Sequence, residues 1–164
     1  MFVQSHVWEI VLIAALATSS VAAQDRTLDL RVRFEKETDP VHKAKLIPRL
    51  ADAEFRDIHA SIDAGNLAEA SAIARHVADE AQTAREALDT KKRDPENNPD
   101  GYRQLQISAR ESVRRLDDIL ISLSADDQQP FREVRNDLDE IDRQLIHRLF
   151  PHRPQEPGSV KPKN

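Results

Sequence analysis

The sequence predicts an all-α protein, an antiparallel up-down bundle of about four helices with an N-terminal signal peptide and a disordered, proline-rich C-terminal tail. Apolar residues recur at steps of three and four in four long segments of the chain. Aromatic residues make up only 4% of the chain and charged residues 32%, with three glycines and no cysteine. This composition is typical of a charge-rich helical protein that helix packing stabilises without disulfides, and 164 residues suffice for one domain.

The first 25 residues read MFVQSHVWEIVLIAALATSSVAAQD and contain an apolar run over residues 10–17. Small residues end this region at Ala23, directly before Gln24, as at the cleavage site of a secretory signal peptide. Residues 1–23 are therefore predicted to be the signal peptide of an exported protein, either periplasmic or secreted. An uncleaved anchor is the alternative, but the uncharged residues 10–23 fall short of the roughly 20 that a membrane-spanning helix needs. No stable membrane span is expected after cleavage.

A short N-terminal segment, residues 24–38, precedes the predicted bundle. Its stretch RTLDLRVRFEKE alternates apolar and charged residues, which taken alone is a strand pattern. No other segment offers a partner strand, so we expect a short helix with the i,i+4 pairs Leu28–Val32 and Leu30–Phe34. An extended conformation stays open as the alternative.

The bundle domain is expected over residues 39–151, and its first helix begins at the capping Asp39 and at Pro40. This helix should run to about residue 64 and end at Gly65 as a left-handed cap. Pro48 inside it predicts a kink or a local break. The buried stripe consists of Ile47, Leu50, Ala51, Phe55, Ile58 and Ile62.

The second helix follows almost without a loop, since Asn66 and Glu69 have the spacing of a capping box. It should end near residues 91–93, before the loop DPENNPDG. Its apolar stripe is mostly alanine: Leu67, Ala70, Ala74, Val77, Ala81, Ala84 and Leu88. We expect this alanine stripe to pack on the preceding helix, which must lie antiparallel, and on the third or fourth helix.

The third helix is expected from about Pro99 to Leu123, and the fourth from near residues 126–127 to Phe150. The predicted buried stripe of the third comprises Tyr102, Leu105, Ala109, Val113, Leu116, Leu120 and Leu123. That of the fourth comprises Phe131, Val134, Leu138, Ile141, Leu145 and Leu149. Residues 152–164 are rich in proline and are expected to be disordered.

Four isoleucines fall outside these stripes and widen the apolar surface of the last two helices: Ile107, Ile119, Ile121 and Ile146. A helix with so wide an apolar face is contacted on two sides. We predict that these residues form an interaction surface for a protein partner or for a second copy of the chain. The alternative is that residues 28–34 of the N-terminal segment cover them.

Several kinds of chemistry are disfavoured, and we expect no catalytic residue, no cofactor and no metal. The three glycines lie too far apart for a glycine-rich phosphate cradle, and a chain without cysteine has no thiol nucleophile. The histidines show no metal-binding spacing. Read as a calcium loop from Glu96, the loop DPENNPDG would need a glutamate where Ile107 stands. A net charge of −5 provides no basic field for nucleic acid.

Three stretches, DPVHKAKLIPRLADAEF, GYRQLQISARESVRRLDDIL and PFREVRNDLDEIDRQLIHRLFP, resemble uncharacterised bacterial exported helical-bundle proteins that share a domain of unknown function. This resemblance implies an exported helical fold and no catalytic activity. A weaker similarity is to periplasmic chaperones of the Spy and CpxP type, which carry LTxxQ motifs. In LSADDQQ, from Leu123, Ser124 stands in place of the threonine and Asp127 in place of the glutamine.

We therefore expect an exported, non-enzymatic protein that acts through protein–protein contacts. The alternative that the second similarity implies is a periplasmic chaperone or stress-sensor-like protein that binds unfolded clients.

Overall fold

The computed structural model describes residues 25–91 and 94–152, and over those ranges it contains helices and no strand. The helices are α1 (25–36), α2 (Pro40–Asp63), α3 (Leu67–Thr90), α4 (Tyr102–Ser122) and α5 (Gln129–Leu149). The all-α prediction is confirmed, and residues 25–36 are helical rather than extended. The predicted signal peptide and the tail from residue 153 onward lie outside the described residues.

Helices α2 and α3 form the first hairpin. The Asp39 carboxylate accepts hydrogen bonds from the backbone N–H groups of Val41 and His42, at 2.9 and 3.0 Å, and so caps α2 as predicted. Gly65 has a φ of 77° and lies in the turn between α2 and α3. The Lys91 ammonium at the end of α3 pairs with the Asp39 carboxylate at the start of α2, so an ion pair joins the two helix ends that lie away from the turn.

Two local predictions for this hairpin are wrong. The Asn66 side chain makes no capping hydrogen bond, so the predicted capping box with Glu69 does not form. The backbone N–H of Asn66 instead donates to Ser61 O at 2.8 Å and ties the turn to the last residues of α2. Helix α2 also runs continuously through Pro48, so the predicted local break is wrong, whereas the alternative of a kink stays a prediction.

The second hairpin consists of α4 and α5. Gln128 closes its turn by donating from Nε2 to the backbone oxygens of Leu120 and Leu123, at 2.8 and 3.0 Å. Gln106 Nε2 donates to Asp142 Oδ1 at 2.6 Å near the other end of the pair. The residue numbers of paired positions run in opposite directions, so α4 and α5 are antiparallel.

The two hairpins pack side by side, with α2 next to α4 and α3 next to α5. Asp52 of α2 lies 2.6 Å from Arg115 of α4, and Asp89 of α3 lies 2.9 Å from Arg148 of α5. Arg75, nearer the start of α3, pairs with Asp137, nearer the start of α5. Neighbours are therefore antiparallel within each hairpin and parallel between hairpins, so the predicted antiparallel arrangement holds only within the hairpins. Helix periodicity does not specify how the hairpins pack on each other.

The core lies between the hairpins and is built largely from the predicted stripes. Within the alanine stripe, the side chains from Ala70 to Leu88 are all at most 3% exposed, and α3 contacts α2, α4 and α5. Alanine permits this close approach because it carries no side chain beyond Cβ. The prediction that the stripe packs within one chain, on the preceding helix and on the third or fourth, is confirmed.

Helix α1 packs against the first hairpin. Phe34 is buried and Leu30 is partly buried, while Leu28 and Val32 are 55% and 43% exposed. The buried and partly buried residues of α1 thus lie at positions 27, 30, 31 and 34. Of the two predicted i,i+4 pairs, only Leu30–Phe34 faces the core. The Nζ atom of Lys43 lies 5.0 Å from the centre of the Phe34 ring and covers it from α2.

Candidate functional site

The structure separates the four isoleucines that the sequence grouped as an interaction surface. Ile107 and Ile121 are 54% and 84% exposed, Ile146 is half-buried, and Ile119 is 2% exposed and belongs to the core. The alternative that residues 28–34 cover them is wrong for Ile107 and Ile121, which stay exposed with α1 in place. Fourteen residues apart on α4, these two lie about 21 Å from each other along the helix axis.

One of them, Ile107, borders a cleft of about 440 Å³, which we term the α4–α5 cleft. It lies where the loop before α4 meets the carboxyl end of α5. Its lining residues are Pro95, Glu96, Pro99, Arg103, Gln106, Ile107, Leu149 and Phe150. Phe150 is 57% exposed, so the cleft presents two large uncovered apolar side chains beside a cation, an anion and an amide. A partly apolar concavity with a few polar groups is the usual form of a binding site.

A smaller groove continues this surface between α2 and α4. It has a volume of about 130 Å³ and is lined by Pro48, Ala51, Asp52, Ile107, Ser108, Glu111, Ser112 and Arg115. Ile107 belongs to both depressions and forms the ridge between them. Ile121 and Ile146 line neither of the two.

A charged cluster within the fold was missed by the sequence analysis. Glu54 of α2 is fully buried, Glu80 of α3 is 9% exposed, and both meet the guanidinium of Arg31 from α1. Arg31 Nε donates to Glu80 Oε1 at 3.2 Å, and Arg31 Nη2 donates to Glu54 Oε1. The second carboxylate oxygen of Glu54, Oε2, is buried and has no hydrogen-bond donor. We term these three residues the Arg31 cluster.

The electrostatics of the Arg31 cluster follow from burial. Loss of hydration raises the pKa of Glu54, against the opposing effect of the Arg31 guanidinium. Burial also raises the pKa of Glu80 to about 8, and the charge and hydrogen bond of Glu54 add to that rise. Both shifts favour the neutral form of a carboxyl in this cluster.

The sequence contains a signal for the Arg31 cluster, namely acidic residues at positions that the apolar stripes predict to be buried. Glu54 is spaced four residues from both Leu50 and Ile58, so it falls inside the apolar stripe of α2. Glu80 lies three residues after Val77 and four before Ala84, inside the stripe of α3. An acidic residue at a core position needs a partner, and only the folded chain shows that the partner comes from α1.

The two motifs considered for ligands have structural roles within the described chain. In the loop before α4, the Asp94 side chain accepts hydrogen bonds from Glu96 N at 3.0 Å and Asn97 Nδ2 at 2.5 Å, so the loop closes on itself. The LSADDQQ segment is the turn in which Gln128 caps α4. Over residues 25–91 and 94–152, no group of three or more histidine or acidic side chains is arranged to hold a metal ion.

Comparison with known proteins finds no matching family model, no matching curated protein and no matching solved structure. In the part of the chain that the structure describes, none of the helices combines the length and the apolar character needed to cross a bilayer. The resemblances to exported helical-bundle proteins and to periplasmic chaperones stay predictions.

Proposed function

We propose that this chain is an exported, non-enzymatic helical protein that acts through protein–protein contacts, and that the α4–α5 cleft is its contact site. The observation that carries the proposal is the placement of Ile107, which is 54% exposed and belongs to both the cleft and the adjoining groove. Export is supported by the signal-peptide pattern that ends at Ala23.

The cleft favours a protein segment as its ligand because of the groups it combines. Ile107 and Phe150 offer apolar area whose removal from water is worth about 25 cal/mol per Å². Arg103, Glu96 and Gln106 line the same cleft and offer donors and acceptors that fix the orientation of a polypeptide. A partner that inserts an apolar side chain between Ile107 and Phe150 would contact both the apolar area and the polar groups of the cleft.

Photo-crosslinking in the producing cells tests this proposal. A photoreactive phenylalanine analogue at position 107 should yield a defined adduct, which the second substitution Phe150→Glu abolishes. The matched control places the analogue at position 121, where the isoleucine is even more exposed but lies outside the cleft. Equal adducts from both positions, or an adduct that survives Phe150→Glu, would contradict a contact site in the cleft.

Light scattering of the full-length protein over a concentration series then identifies the partner class. A dimer that Ile107→Glu splits into monomers would make a second copy the partner. A monomer that still yields the crosslinked adduct would make the partner a different protein.

The alternative, a periplasmic chaperone or stress-sensor-like protein, rests on the LSADDQQ segment. The two motif positions bond to each other, since Ser124 Oγ donates to Asp127 Oδ2 at 2.6 Å, so the geometry adds no support. Client binding would be tested by the aggregation of a model client, which a chaperone suppresses at substoichiometric amounts.

A further inference from the structure

The Arg31 cluster joins three helices at a single point. Its cation comes from α1, and its two carboxylates come from the facing helices α2 and α3 of the first hairpin. Both carboxylates are buried, whereas the Arg31 side chain is 25% exposed and closes the cluster toward solvent. The cluster therefore ties α1 to both helices of the hairpin at once.

The charges of the cluster do not balance without a proton. Two carboxylates carry two negative charges, and Arg31 supplies one positive charge. Burying an unpaired charge is unfavourable, so this arrangement favours one neutral carboxyl. Glu54 Oε2 is buried and lacks a donor, and Glu80 is the neighbouring carboxyl that could provide one.

We propose that Glu54 and Glu80 share a single proton, and that this proton holds α1 on the first hairpin, so that α1 is a pH-sensitive cover. The proton supplies the missing donor for Glu54 Oε2 and leaves the cluster with one positive and one negative charge. Release of α1 uncovers both carboxylates and frees the buried Phe34.

The direction of the pH dependence follows from the groups that face the proton. These are Arg31 from α1, Glu54 from α2, and Glu80 and His76 from α3. With α1 docked, burial is the largest cause that raises the pKa of Glu80 to about 8, Glu54 adds to the rise, and the Arg31 guanidinium opposes it. Release of α1 hydrates Glu80 and so removes the largest of these causes, which outweighs the simultaneous loss of Arg31. Docking of α1 therefore takes up a proton below about pH 8.

Two features limit the strength of this dependence. Since one proton is involved, the docking constant falls at most about tenfold for each unit of rising pH, and it levels off above about pH 8. The His76 side chain lowers the pKa of Glu54 by its charge and so opposes proton uptake by the cluster.

Energy transfer between two dyes on the full-length chain measures docking. The chain has no cysteine, so the substitutions Leu28→Cys and Asp79→Cys introduce two specific labelling sites at exposed positions on α1 and α3. We expect the docked fraction to fall from pH 5 to pH 8 and then to stay constant. A docked fraction that is the same over this range overturns the proposal.

Glu80→Gln separates the shared proton from other sources of pH dependence. A glutamine amide donates to Glu54 without titrating, so α1 of this variant should stay docked over the whole range. Glu69→Gln is the matched control, because Glu69 is an exposed glutamate of the same helix and its loss should leave the dependence unchanged. A pH dependence that survives Glu80→Gln overturns the proposal.

Carbon-13 NMR of the glutamate carboxyls gives a second readout that does not require the variant to fold. In the unmodified chain, one carboxyl of the buried pair should titrate near pH 8. If every glutamate titrates below pH 6, no proton is shared and the proposal is overturned.

Discussion

Gly101, directly before α4, offers the sharpest test of how the two hairpins are joined. Its φ of 86° and ψ of −52° lie in a region that residues with a Cβ rarely adopt. A Cβ at this position would also lie 2.8 Å from Leu88 Cδ2 and 3.4 Å from Val41 Cα. The start of α4 therefore sits directly on α2 and α3, and the added methyl group of Gly101→Ala should displace the buried Leu88 side chain.

The magnitude follows from two contributions. A left-handed backbone costs an ordinary residue roughly 1–2 kcal/mol, and overpacking a close-packed core costs roughly 1–3 kcal/mol. Alanine also lowers the conformational entropy of the unfolded chain relative to glycine, which offsets about 0.4–1 kcal/mol of this loss of stability. We expect Gly101→Ala to lower the free energy of unfolding by about 2–4 kcal/mol, as measured by urea denaturation.

Gly65→Ala is the matched control, since Gly65 also has a positive φ but no atom lies within 4 Å of the point that an added Cβ would occupy. We expect it to cost about 1 kcal/mol or less, from the backbone contribution alone. The contact itself is isolated by repeating Gly101→Ala in a Leu88→Val background, which removes Leu88 Cδ2. If Gly101→Ala costs the same in both backgrounds, the contact with Leu88 contributes nothing and the reasoning is refuted.

Three further predictions use the same denaturation assay. Arg31→Met should lower the free energy of unfolding by about 3–5 kcal/mol, because it leaves the buried Glu54–Glu80 pair with a negative charge and no cation, whereas Arg33→Met on the exposed face of α1 should cost less than about 1 kcal/mol; equal losses would contradict the role of the Arg31 cluster. Since the pKa of Glu80 is raised to about 8, the unmodified protein should lose stability as pH rises from about 4.5 to 8, and a stability that rises over this window would reverse the assigned sign. Ala81→Leu in the alanine stripe should cost about 1–3 kcal/mol by overpacking, while Ala68→Leu, which is exposed on the same helix, should be nearly neutral.

The surface of the fold shows where sequence reasoning stops. Asp52 and Arg56 have the spacing of a favourable pair within α2, but the Asp52 carboxylate meets Arg115 of α4 at 2.6 Å. Arg115 also pairs with Glu111 at 3.0 Å, as the i,i+4 spacing within α4 predicts. Spacing thus identifies which charges can meet on one helix, but it does not include the competing charges that a neighbouring helix brings.

The candidate sites were predictable to different degrees. Ile107 stood out in the sequence as an apolar residue outside the stripe of α4, and it borders the α4–α5 cleft. Ile119 stood out by the same criterion and is buried. The sequence does not separate the two because whether such a residue is covered depends on which helix packs beside it.

The sequence by itself determined the helical class, the helix limits within a few residues and most of the buried stripes. These properties are local, since the 3.6-residue period, the cap at Asp39 and the turn at Gly65 act within one or two turns of helix. Only the tertiary structure decided that the hairpins pack with parallel neighbours and that Arg31 meets Glu54 and Glu80. An apolar stripe specifies that a helix face is buried but not which helix covers it, so contacts between distant residues depend on how all the faces pack together.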